Sequence, residues 1–140
     1  MKSKPANNPL RMSDVKQDLS FFPEYEGCVY KSQTACFDLI KEIYNKEYQL
    51  SFSEDFLGKL KSYTKKEANS LILEWLEKDF EVTNEIAQGD VVVLDTPMFH
   101  LGLVVDRRLF FHAKPNLRSR FGLLHKYDVR SYHRYKGFVK

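Results

Sequence analysis

The stretch AQGDVVVLDTPMFHLGLVVDRRLFFHA, residues Ala87–Ala113, decides how this chain folds. Upstream of it apolar residues recur at helical spacing; within it they fall into short runs cut by turn residues. Gly89-Asp90 leads into an apolar strand at Val91–Leu94, and Thr96-Pro97 marks the next turn. Leu101–Val105 and Leu109–His112 then read as the arms of a hairpin about Asp106, with further strands at Phe121–Leu124 and Tyr132–Phe138. Going back towards the N-terminus, Thr64 and Glu67 form a T-x-x-E capping box. It opens a helix whose apolar face is Ala68, Leu71, Ile72, Trp75, Leu76 and Phe80. A short helix is expected after Ser53, through Phe56, Leu57 and Leu60. Another runs from Ala35 to about Lys46, with Cys36, Ile40, Ile43 and Tyr44 on one face and Ser32 or Thr34 as its cap. Helices first and strands afterwards describe an α+β domain, helices packed on an antiparallel sheet.

One domain accounts for the 140 residues, enough to bury roughly two-thirds of the surface of the unfolded chain. Hydrophobic content of 43% and aromatic content of 14% fit a globule. Pro5, Pro9, Asn7 and Asn8 discourage regular structure at the start, so residues 1–20 read as a polar arm and 21–140 as the folded domain. No apolar run approaches the roughly 18–20 residues of a membrane span, and residues 3–8 are polar where a signal peptide would be apolar. The expected location is the cytosol, unless something larger carries the protein out. Residues 1–106 hold 12 Lys and Arg against 18 Asp and Glu; residues 107–140 hold 10 against the single Asp128. The basic C-terminal stretch, residues 107–140, is therefore expected to face something acidic.

Three residues carry the chemistry. Cys36 stands in the first turn of its helix, where unpaired N–H groups and the helix dipole favour a thiolate, so a depressed pKa and fast alkylation are expected of it. Cys28, in an aromatic stretch with no helix start behind it, reads as structural. His100 begins one arm of the hairpin and His112 ends the other. A turn centred on Asp106 pairs position i with 212 − i and sets the two rings face to face. Slipping the register by one residue would send His112 to the other side of the sheet. His125 and His133 are isolated, and no metal site or cofactor is expected.

Two blocks of this sequence, Thr34–Phe52 (TACFDLIKEIYNKEYQLSF) and Ala87–Ala113, resemble the NlpC-type papain-like cysteine peptidases. In that family a cysteine opens a helix. Farther along come a Gly-Asp before an apolar strand, an H-x-G strand and a strand ending in His-Ala. The acidic-aromatic Glu54-Asp55-Phe56 looks most like the variants found in phage tail-tip assembly proteins. The resemblance implies a papain-like fold with Cys36 as nucleophile, His100 as general base and then acid, and His112 as the residue orienting His100. It puts Tyr25 first and Tyr30 second as the oxyanion group. The substrate implied is the peptide stem of bacterial cell-wall peptidoglycan, cleaved at an amide through a thioester. It also implies host cytoplasm during assembly and then the virion tail tip, with other tail proteins meeting the N-terminal arm and the basic C-terminal third. Where the family has aspartate before the cysteine and serine-glycine after it, this chain has Ala35, Phe37 and Asp38. Phe37 is expected to narrow the cleft and Asp38 to oppose the thiolate.

Two other classes compete with the enzyme. One is a structural or assembly protein of a phage tail that keeps the fold without turnover. The other is a nucleic-acid binder, for which Arg118, Arg120, Arg130, Arg134 and Lys136 interleave with Phe121, Tyr127, Tyr132 and Tyr135. No nucleic-acid-binding motif accompanies that pattern, and the net charge is only +3, so nucleic acid is not the expected partner.

Overall fold

The computed structural model describes residues 22–30, 35–50, 52, 64–97 and 99–138. The polar arm, the Ser32 or Thr34 cap and the helix after Ser53 lie outside them. Helices α1 (Phe22–Tyr25), α2 (Ala35–Glu47) and α3 (Lys65–Asp79) precede strands β1 (Phe80–Val82), β2 (Val91–Leu94), β3 (His100–Val104), β4 (Leu109–His112), β5 (Arg120–Leu123) and β6 (Val129–Tyr135). The strands form one antiparallel sheet in the order β1-β6-β2-β3-β4-β5. No helix among the described residues is long and apolar enough to cross a membrane.

The capping box holds α3 as its sequence indicates: the Thr64 hydroxyl accepts from Glu67 N at 3.1 Å while Thr64 N donates to Glu67 Oε1 at 2.8 Å. Its buried face is Ala68, Ile72, Trp75 and Leu76. Phe80, expected as the end of that face, instead leaves the helix and starts β1. Along α2, Ala35, Cys36, Leu39, Ile40, Ile43 and Tyr44 recur at three- and four-residue spacing and are buried. They pack with Val91, Val93, Leu101, Leu103 and Phe111 from one side of the sheet. Val92, Leu94, Val104, Phe110 and Leu124 form a second, smaller cluster on the other side. Both faces of β2 are thus covered, which is why all four of its residues are apolar and none alternates.

The Gly-Asp pair before β2 has two separate jobs. Gly89 turns at φ +93°, a conformation that favours glycine; a Cβ there would lie 3.0 Å from the Tyr48 hydroxyl oxygen. Its carbonyl accepts from the Tyr44 hydroxyl at 2.6 Å, tying α2 to the entry of the sheet. Asp90 is fully buried and takes both nitrogens of the Arg134 fork, Nε on Oδ1 and Nη2 on Oδ2, each at 2.9 Å.

The hairpin register differs from the expected one. Leu103 pairs with Phe111 and Val104 with Phe110, so partners sum to 214 rather than 212. The loop is centred on Arg107 because the Asp106 carboxylate caps it, accepting from Arg108 N at 2.8 Å and Leu109 N at 2.9 Å. A slip of two residues preserves the face. His100 and His112 therefore stay on one side of the sheet but meet diagonally, with Gly102 as the residue that the register sets against His112.

Candidate active site

The N-terminus of α2, the start of β3 and the end of β4 converge at one edge of the structure. Cys36 reaches this edge because it occupies the second position of α2. The backbone N–H groups of Leu101, Phe37 and Cys36 itself favour the thiolate. Burial outweighs them: Cys36 is only 9% exposed, and desolvation pushes the thiol above its ordinary value, with Asp38 adding to the rise. The depressed pKa expected from the helix start is thus corrected. A helix dipole supplies about half a charge, too little to offset removing a thiolate from water. Phe37 is corrected as well. It does not wall a cleft but lies in the core, edge-on to Trp75 at 4.8 Å.

His100 and His112 are joined by a ring-to-ring hydrogen bond, His100 Nε2 to His112 Nδ1, at 2.7 Å. The diagonal between neighbouring strands is within reach of two imidazoles. Burial holds both neutral: the pKa of His100 falls to about 4 and that of His112 to about 3. The cations Lys114 and Arg120 push the same way for both rings, and for His112 the neighbouring His100 does so too. At neutral pH the thiol and both imidazoles are therefore uncharged.

Tautomers follow from the single bond. For His100 to take a proton at Nδ1, its Nε2 must carry hydrogen and donate to His112 Nδ1, which places the His112 hydrogen on Nε2. That Nε2 is buried and, among the described residues, has no hydrogen-bond partner. Strand alternation turns Leu101 towards α2 and His100 towards the opposite face. Among the described residues no hydrogen bond joins Cys36 to His100; the backbone N–H of the next residue, Leu101, is the one that favours the thiolate from β3.

The two tyrosines named as oxyanion groups stand elsewhere. The Tyr25 hydroxyl donates to Glu47 Oε2 at 2.8 Å, about 16 Å along α2 from Cys36 at 1.5 Å rise per residue. The Tyr30 hydroxyl donates to Glu42, about 9 Å along the same axis. Each phenol's pKa is pushed well up, first by burial and then by its glutamate partner. Together they latch residues 25–30 across α2, while Ser119 holds the same segment beside β5: Gly27 N donates to Ser119 O at 2.9 Å and Ser119 N to Cys28 O at 2.8 Å. Cys28 is half-buried within that segment.

The donors gathered on the sulfur are backbone amides. Side-chain identity does not reveal them, so sequence reasoning passed over Leu101. Lys114 and Arg120 had a signal in the charge imbalance of residues 107–140, but nothing tied them to the histidines. His133 bonds to Ser131 Oγ at 2.7 Å, and among the described residues no group of three or more His, Cys, Asp or Glu is placed to hold a metal ion. Compared with known proteins, the chain matches no family model, no curated protein and no solved structure.

Proposed function

We propose that this protein is a cysteine peptidase of papain-like, NlpC-type logic that cleaves amide bonds in peptidoglycan peptide stems. The observation that carries the reading is the 2.7 Å bond between His100 Nε2 and His112 Nδ1. It leaves His100 Nδ1 uncommitted, on the residue before Leu101, whose backbone N–H favours the Cys36 thiolate. In the proposed reaction His100 Nδ1 takes the thiol proton as Cys36 Sγ attacks the carbonyl carbon. The resulting oxyanion is met by backbone N–H groups of the kind already gathered on Sγ. His100 returns the proton to the leaving nitrogen, the C–N bond breaks, and a thioester remains. Water, deprotonated by His100, then attacks the thioester; Cys36 leaves as thiol and the peptide as carboxylic acid. Because both groups start neutral, proton transfer accompanies attack, as in serine hydrolases, rather than preceding it.

Delivery in a phage tail tip follows from the resemblance of Glu54-Asp55-Phe56 to the tail-associated variants. The second reading is a tail assembly protein that keeps the fold without turnover; the burial of Cys36 and the raised pKa of its thiol favour it. Incubating the purified protein with peptidoglycan fragments, beside Cys36→Ala, separates the two. Release of new amino termini by the wild type alone supports the peptidase; no release by either leaves the assembly role. Phage carrying Cys36→Ala should assemble complete tails and infect poorly through a thick wall, whereas deleting residues 1–20 should impair incorporation.

A further inference from the structure

Phe110 lies two residues before His112 on β4, fully buried, its ring centroid 4.6 Å from the imidazole's and tilted by 30°. Gly122 stands directly opposite it on β5, and Gly102 flanks it on β3. Neither glycine has a positive φ, so no turn explains them. The ring does. A Cβ on Gly102 would fall 2.5 Å from Phe110 Cδ2, and one on Gly122 would fall 2.8 Å from Cε1 and 3.1 Å from His112 Nε2. Glycine weakens a strand interior unless something must approach closely. Tyr127 closes the space, edge-on to Phe110 at 5.2 Å and to His112 at 6.0 Å.

We propose that Phe110, seated in the slot left by Gly102 and Gly122, is a positioning residue for the histidine pair. Its ring blocks the rotation by which His112 would exchange Nδ1 for a carbon, so Nδ1 stays aimed at His100 Nε2. The same ring, with the backbone of Gly122 and the Tyr127 edge, lines the surroundings of His112 Nε2. Charged groups near the pair are Lys114 and Arg120, both cationic, so nothing there rewards a second proton. The catalytic meaning of this device rests on the peptidase reading; the device itself does not.

Nitrogen chemical shifts of 15N-labelled histidines in the full chain test it without turnover. In the wild type, His100 and His112 should each show one tautomer, protonated at Nε2, and remain neutral at pH 5.5. Phe110→Leu should give mixed tautomers at His112 and let His100 titrate upward from about 4 towards 6.5. Gly122→Ala, which keeps the ring but pushes it, should do the same, and it decides the matter if Phe110→Leu does not fold. Val92→Ala, a cavity in the same apolar cluster, should leave both tautomers unchanged. Mixed tautomers in the wild type, unchanged spectra in the folded Phe110 and Gly122 variants, or an equal change in Val92→Ala would each overturn the proposal. Fixed tautomers in a protein with no turnover on peptidoglycan would uphold it and sink only the peptidase reading.

Discussion

Two buried polar pairs are built into this sheet, and they are finished to different degrees. Asp90 and Arg134 take part in four hydrogen bonds: two charge-assisted bonds between them, Ala87 N on Asp90 Oδ2 at 2.8 Å, and Arg134 Nη2 on Glu85 O at 2.6 Å. His100 and His112 share one bond, with His112 Nε2 left without a partner among the described residues. The first pair closes β6 onto the turn before β2, and these four bonds are what make two buried charges tolerable. The second stays uncharged, so the same burial costs far less and leaves a ring nitrogen uncommitted. Charged bonds on both partners mark scaffold; the spare ring nitrogen is what the proposed chemistry would use.

The sharpest way to break the comparison is to remove one member of each pair. Arg134→Met strands a buried carboxylate and should destabilise the protein by about 3–5 kcal/mol in denaturant unfolding, with much of the loss recovered in Asp90→Leu/Arg134→Met. His100→Gln should unfold at nearly the wild-type denaturant concentration, since it removes one neutral hydrogen bond worth about 1 kcal/mol. If the peptidase reading holds, the same variant loses about 10²–10⁴-fold in kcat/KM, and His112→Gln retains a measurable fraction. Equal stability costs for Arg134→Met and His100→Gln would end the distinction between scaffold and site.

Acid separates the pairs more gently. The folded pKa of His100, about 4, lies below its ordinary 6.5, so the unfolded chain takes the proton first. Its contribution is complete above pH 6.5 and is lost as pH falls through 6.5 towards 4. Between pH 7 and pH 5 this amounts to about 2 kcal/mol. His100→Gln should flatten the unfolding curve over that window, while Asp90→Leu/Arg134→Met should keep the histidine slope.

How far these features could be read in advance depends on the range of the interactions behind them. The start of α3 is legible because a capping box is local, and β2 and β4 because short apolar runs between turn signals leave little choice. The hairpin centre was misplaced by one residue although its cause, Asp106 capping the loop, sits in the sequence. Phe80 was read as helix because its period fits; pairing with Tyr135 fixes it as strand, and that partner is 55 residues away. The tyrosine latches and the Arg134 fork were illegible for the same reason. At the site, the residue types were legible and their electrostatics were not. Helix position argued for a low thiol pKa, and only the packing of Cys36 revealed the larger opposing cost of burial.

The smallest effect is the most direct comparison of the two cysteines. Cys36 was expected to alkylate faster than Cys28; the structure reverses this. Iodoacetamide consumes thiolate, and each unit of rise in pKa cuts the thiolate fraction tenfold at neutral pH. Cys36 combines burial with a raised pKa, whereas Cys28 is partly open to solvent. In the folded protein at pH 7, peptide mapping should find Cys28 modified faster, with Cys36 catching up as pH rises. Faster labelling of Cys36 would mean that its thiolate is already populated at rest, whether an imidazole or the backbone sustains it. His100→Gln then arbitrates. If Cys36 slows in that variant, His100 is the proton's holder and sits closer to the sulfur than the resting geometry places it. If Cys36 stays fast, the three backbone amides alone sustain the thiolate, and the histidine pair has no part in activating it.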